Sequence, residues 1–493
     1  MSTLISLIHT LSTEEKQVFT TFLKRKNKRH DTKNIQLFNL LDASPEIKNP
    51  DIHIYGKKAK GAYHALSKRL HDSIIDFIAS KSFEGETSEE MEILKLLLAS
   101  RILFEQKQYS IAFKIINKAE QKAKIYDLFS ILNEIYYTQI QYAHLSKQDI
   151  LPVLIQDFRA NRQALLQEEN LNLFYASIQN KLEQRKTNFL PVIKDTLLSF
   201  DISNTQDITF RSLFKLLEII NKTAHISRDY HSILPFIEET VTHIESKNKS
   251  SEKHLFYHIH ILYYISNSYF RNRDFKTSQD YLDQMEYWVS KQNNKYLKRF
   301  SPQLTLLKAL NLNYTGHVKQ AILLVEEFPY KKHKDQITYV LDLELCLVVF
   351  YFQQSRYREA LQIFKSFFHS DIWYIEKAGI TWVIKKNLIE ILLHLELENI
   401  DLVESRLRSF KKKHLSYLKD HEETRIITFL KLITDYYHNP ETTLTENFRS
   451  TLKNATIINS TIQEDIFEIS FYAWLLSKTH KTDLYETTLK LIQ

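Results

Sequence analysis

Gln108-Tyr109-Ser110-Ile111-Ala112 returns three times along the chain in altered form: Asp274-Phe275-Lys276-Thr277-Ser278, His317-Val318-Lys319-Gln320-Ala321 and Arg356-Tyr357-Arg358-Glu359-Ala360. Each copy opens on an aromatic residue or its apolar equivalent and reaches a small residue three positions on. A bulky residue follows four later: Ile116, Leu282, Val325 and Phe364. On a helix these positions share one face. The small residue lets a neighbouring helix come close, and the bulky one fills the layer beside it. Helix pairs that stack on the next pair need this arrangement.

A second local form lies between these copies: Ile150-Leu151-Pro152-Val153-Leu154, Phe189-Leu190-Pro191-Val192-Ile193 and Ile233-Leu234-Pro235-Phe236-Ile237. Each sets proline in the first turn of a helix, where its missing amide costs least. The anchors then fall at 112, 150, 189, 233, 278, 321, 360 and 403, in steps of 38 to 45 residues with a mean near 42. Helical periodicity fills the intervals, as in Leu388, Ile391, Leu392 and Leu395. The 493 residues include only 5 glycines and 8 prolines, with no Asn-Gly or Asp-Gly hairpin signal. Sheets and phosphate-cradling loops need more glycine than that. The expectation is an all-α chain, with about eight to nine helical hairpins over residues 90–493.

The N-terminal segment, 1–81, reads differently. Ser12-Thr13-Glu14-Glu15 is a capping box that opens a helix to about Lys26. A second helix is expected over Lys33–Leu41, a loop at Pro45 and Pro50, and a third helix over Lys57–Ser80. Residues 1–81 hold 14 Lys and Arg against 8 Asp and Glu, whereas the other 412 residues hold 52 against 51. Six units of the net charge of +7 therefore sit in this segment. The polar stretch Ser82–Glu89 reads as a boundary.

One cysteine, Cys346, excludes an internal disulfide and a Cys-rich zinc site. It lies in the apolar run Leu343–Phe352 and is expected to be a buried, inert thiol. No secretory signal and no membrane span is visible. A cytoplasmic protein is expected.

The repeats resemble tetratricopeptide repeats. That family's second helix carries an aromatic, a small residue three on, a large one four later and a small one three after that. Tyr109, Ala112, Ile116 and Ala119 match all four, while Phe275, Ser278 and Leu282, and Tyr357, Ala360 and Phe364, match three each. The step near 42 departs from the family's ~34. The family's glycine in the first helix is replaced by Ser100, Ser266 and Ala309. The resemblance implies a right-handed α-solenoid of helical hairpins, here with an N-terminal helical cap, whose first helices line a groove for peptides. The matching groove positions around Ser278 are His260, Tyr263 and Asn267, and in the next repeat Gln303, Leu306 and Leu310. Of the family's Lys and Asn clamp for a C-terminal carboxylate, only Asn267 is present.

Catalytic signatures are missing: there is no phosphate loop, no dinucleotide fingerprint and no nucleophile elbow. No catalytic residue, cofactor or metal is therefore assigned. His254 and His258, spaced i, i+4 beside His260, have metal-ligand spacing but read as members of a packed hairpin. Lys331–Lys334 and Lys411–His414 read as hairpin loops and helix ends.

Two functions remain in view. The first is a non-catalytic scaffold that binds a protein or peptide partner in its groove. The second is a nucleic-acid-binding regulator with a basic head and a ligand-sensing repeat array. Its phosphate contacts would be Lys24, Arg25, Lys26, Lys28, Arg29, Lys57, Lys58 and Lys60.

Overall fold

Every regular element in the computed structural model of the chain is a helix, and no strand occurs among the described residues. These are residues 4–492 without 27–32, 44–46, 81–86, 147–149, 185–208, 228–229, 239–241, 243–253, 457–465 and the single positions 6, 9, 10, 12, 48 and 422. The cap residue Ser12, the anchor at 189 and the cations Lys28 and Arg29 lie outside them. The chain divides into two compact units, Met1–Lys95 and Leu96–Gln493.

The first unit contains α1 (Thr13–Lys26), α2 (Lys33–Ala43), α3 (Pro50–Tyr55) and α4 (Lys60–Ser80). Phe19, Leu23, Leu37, Phe38, Leu66, Leu70 and Ile74 recur at helical spacing and form its core. The Phe19 ring lies 5.1 Å from both Phe38 and Phe77. Helix α3 corrects the loop expected at Pro50. Proline stands there as the first helical residue, where no amide is needed, and Gly56 at φ 71° ends the helix.

The second unit is built on helix pairs. Helix α5 (Thr87–Glu105), whose residues up to Lys95 belong to the first unit, leads into α6 (Tyr109–Ile125), α7 (Phe129–Tyr142), α8 (Leu151–Gln184) and α9 (Phe210–Ser227). Then follow α10 (Leu255–Arg271), α11 (Phe275–Val289), α12 (Leu297–Tyr314), α13 (Val318–Glu326), α14 (Ile337–Gln353) and α15 (Tyr357–Phe364). The last elements are α16 (Asp371–Ala378), α17 (Ile380–Glu396), α18 (Ile400–Asp420), α19 (Thr424–His438), α20 (Glu446–Thr456), α21 (Ile466–His480) and α22 (Leu484–Ile492).

One turn joins seven of these pairs among the described residues; two are at Asp127 (φ 49°, Leu128 amide to the Ala123 carbonyl, 3.0 Å) and Lys481 (φ 52°, Thr482 amide to the Ser477 carbonyl, 3.1 Å). Lys107, Arg273, Gly316, Ser355 and Glu398 each adopt a left-handed backbone, at φ 59, 64, 93, 56 and 58°. The next amide in each case reaches back five residues: Gln108 to the Leu103 carbonyl (2.9 Å), Asp274 to Tyr269 (3.0 Å), His317 to Leu312 (2.8 Å), Arg356 to Tyr351 (2.9 Å) and Asn399 to His394 (2.9 Å). This is the Schellman closure, which satisfies carbonyls that a helix end leaves open. The recurrent aromatic or aliphatic residue then starts the second helix. The small anchors Ala112, Ser278, Ala321 and Ala360 are fully buried, as are Ile116, Leu282 and Val325.

Three expectations need correction. Between the anchors at 150 and 189 there is no hairpin: α8 is one uninterrupted helix of 34 residues. Pro152 does stand in its first turn, but neither glycine nor proline follows before 184 to break it. Helix α16 is an extra element between α15 and α17. The side chain of Ser370 accepts from the Trp373 amide to start it, and Gly379 at φ 87° ends it. Finally, Lys411–His414 lie inside α18 rather than at its end.

The largest core runs from α12 to α22 through Leu343, Val348, Phe352, Leu392, Trp474 and Leu475, and it includes Cys346. The pair α21–α22 packs back on earlier helices. Gln353 Nε2 donates to Ser470 Oγ (2.8 Å), Tyr485 donates to the Asn313 carbonyl (2.5 Å), and Arg273 Nη1 donates to the carbonyls of Leu491 and Ile492 (3.4 Å each). No helix among the described residues is long and apolar enough to cross a membrane.

Candidate functional site

Helices α9, α10, α12 and α14 lie side by side, and their polar positions meet. Tyr263 and Tyr264 on α10 are half-buried, with Leu306 and Leu310 on α12 beside them and Tyr339 at the start of α14. Gln303 Nε2 donates to the Tyr339 hydroxyl, while Gln303 Oε1, buried, has no partner. Asn267 Nδ2 reaches Asn221 Oδ1 on α9 at 3.5 Å.

The phenols of this row stay protonated. Burial drives the Tyr263 hydroxyl well above its ordinary value; Tyr339, Tyr264 and Asp342 push the same way, and Arg271 opposes them. Burial raises Tyr264 and Tyr339 too, the latter against the hydrogen bond from Gln303. The row therefore sets neutral hydroxyls and amides among apolar rings.

Of the three groove positions expected from the sequence, Tyr263 and Asn267 are half-buried and His260 is inside the packing. The His260 ring sits 4.9, 4.5 and 4.6 Å from Phe214, Phe256 and Phe300. Burial lowers its pKa to about 3, and Arg299 adds to the shift. His258, 4.9 Å from Trp288, has no partner for either ring nitrogen and is lowered to about 4 by burial. His254 Nε2 pairs with Asp127 Oδ2 at 3.2 Å. No three metal-ligating side chains come together among the described residues.

In the first unit, Lys24 and Arg25 are exposed at the end of α1, and Lys26 is its last residue. Lys57 and Lys58 stand exposed in the turn after Gly56, and Lys60 opens α4.

Two features escaped the sequence. The first is a charge network under α16. Asp371 accepts from Lys386 (3.3 Å) and Lys413 (2.7 Å), and Glu390 pairs with Arg406 (2.9 Å). The second is the outer side of α16 with the residue leading into it. Phe368 is 80% exposed, Ile372 71% and Ile375 37%, while His369 stacks on Trp373 at 4.0 Å. The spacing 368, 372, 375 would have marked this as a helix face, but not which way it points. No family model matches the chain, and no curated protein matches it.

Proposed function

We propose that the chain is a non-catalytic, cytoplasmic interaction scaffold. Its helix pairs stack as a right-handed, tetratricopeptide-like α-solenoid, preceded in the chain by an N-terminal helical segment. It takes a protein or peptide partner on the face made by α10, α12 and α14. The observation that carries this reading is the row Tyr263, Tyr264, Gln303 and Tyr339, with Leu306 and Leu310 beside it. Tyrosines with apolar bodies and hydroxyl tips are enriched where proteins bind one another.

The test uses the full chain with a photocrosslinking residue at position 339, incubated with extract of its native host. A discrete adduct, lost in the Tyr264→Glu variant and retained with the crosslinker moved to position 412, is the expected result. No adduct at 339, or equal yield at 412, overturns the reading.

A further inference from the structure

The first unit collects its cations at one end. Helices α1 and α2 run antiparallel, because Lys16 near the start of α1 pairs with Asp42 near the end of α2 at 2.6 Å. At the opposite end, Lys24 and Arg25 close α1 and Lys33 opens α2. The Lys33 ammonium lies 4.4 Å over the Tyr55 ring, and the Tyr55 hydroxyl donates to the Ala62 carbonyl at 3.2 Å. These contacts draw the end of α3 and the first turn of α4 to that same end, along with Lys57, Lys58 and Lys60. Cations from three separate stretches of sequence thus converge, which no run of charge in the sequence shows.

Among the described residues, the acidic groups that would compensate them are engaged or distant. Asp42 is held by Lys16. Asp51 is buried and accepts the Ala59 amide at 2.9 Å, which fixes the turn that displays Lys57 and Lys58. Asp72 and Asp76 lie three to four turns further along α4. Lys24, Arg25, Lys57, Lys58 and Lys60 are exposed and make no ion pair among the described residues. The first turns of α2 and α4 hold no acidic residue.

We infer that this end of the first unit binds the phosphates of double-stranded nucleic acid, without reading its sequence. Polyvalent lysine and arginine at spacings fixed by a folded unit suit a rigid polyanion. A single strand would need aromatic platforms for its bases. The exposed large apolar residues described in this unit are Val18, Ile52, Ile75 and Leu94, none of them aromatic. The same short list leaves little to insert into a lipid surface.

Anisotropy of a labelled DNA duplex with the full chain tests this. With five or six phosphate contacts, affinity falls on the order of 10³-fold between about 50 and 200 mM salt. The triple variant Lys57→Gln, Lys58→Gln, Lys60→Gln, checked for unchanged helical circular dichroism and melting, weakens binding at least about 10-fold and lowers the salt slope by about 2 to 3. The Lys24→Gln, Arg25→Gln variant weakens it as well, and Lys411→Gln, Lys412→Gln in the second unit does not. Absence of duplex binding at low salt, equal weakening by the control pair, or binding to phosphatidylserine vesicles in place of duplex overturns the inference.

Discussion

Lys386 is buried and finds its counter-charge in Asp371, 3.3 Å away on the helix before it. The Lys386 side chain is 8% exposed, and its ammonium also faces the rings of Tyr374 (5.3 Å) and Phe364 (5.7 Å). Burial alone would raise the Asp371 carboxyl. The hydrogen bond from Lys413 and the charge of Lys386 outweigh it and hold the group below its ordinary value. Asp371→Asn leaves Lys386 charged and unpaired inside the protein, so it destabilises by about 3 kcal/mol, read from urea midpoints. A depressed carboxyl adds stability above its unfolded value, near 4, and loses it as pH falls through the folded value. The cost of Asp371→Asn is therefore full at neutral pH and shrinks in acid. An equal cost at pH 7 and pH 3 sinks this account.

His258 and His260 contribute to a loss of stability in mild acid, as do His333, His394 and His414, which burial also lowers. The first two are neutral in the folded chain, with pKa values near 4 and 3. The unfolded chain takes up these protons near pH 6.5. Stability is therefore complete above that pH and declines as pH falls toward the folded values, by about 2 kcal/mol per histidine at pH 5. His258→Phe and His260→Phe each flatten the profile, measured as melting temperature against pH. A double variant that keeps the wild-type slope between pH 7 and 5 contradicts the assignment.

The repeated turn gives paired, opposite outcomes. Lys107 and Glu398 are exposed and hold left-handed backbones that glycine adopts without strain. Lys107→Gly and Glu398→Gly raise stability by about 0.5 kcal/mol each, the relief of strain exceeding the added chain entropy. Gly316→Ala, at φ 93° with open space around it, lowers stability by about 1 kcal/mol. Thermal melts of the three variants check the signs together.

Ala360 is wholly buried in the α15 layer of the large core. Ala360→Leu adds three carbons where a neighbouring helix sits and costs about 2 to 3 kcal/mol. Ala360→Ser costs less. A tolerated leucine would mean that the small anchor does not set the spacing of the pairs.

The local part of the fold was legible in the sequence. Ala112, Ser278, Ala321 and Ala360 report their burial through residues three and four positions away, so a short window holds the signal. The turn was not legible, because Lys107, Arg273, Ser355 and Glu398 are poor advertisements for a left-handed backbone. Helix α8 misled for a related reason: Pro152 announces a start, and nothing announces its length. Tyr263 and Asn267, named from the resemblance to tetratricopeptide repeats, are half-buried. His260 lies in the same helix, but three phenylalanines from α9, α10 and α12 enclose its ring, and only tertiary packing brings them together. The Asp371–Lys413 contact spans 42 positions and no periodicity foretells it.

The return of α21 and α22 onto α10, α12 and α14 has a consequence for synthesis. An open stack can settle pair by pair as it leaves the ribosome. Here the amide of Gln353 and the guanidinium of Arg273 wait for partners at Ser470, Leu491 and Ile492. The partners lie 117 residues on for Gln353 and 218 to 219 for Arg273, so at ordinary translation rates of about 5 to 20 residues per second the wait lasts roughly 6 to 23 seconds for the first and roughly 11 to 44 seconds for the second. Throughout it, the apolar ends of the central helices stand open to water and to chaperones, so the nascent chain passes through a long vulnerable stage that the finished molecule no longer displays.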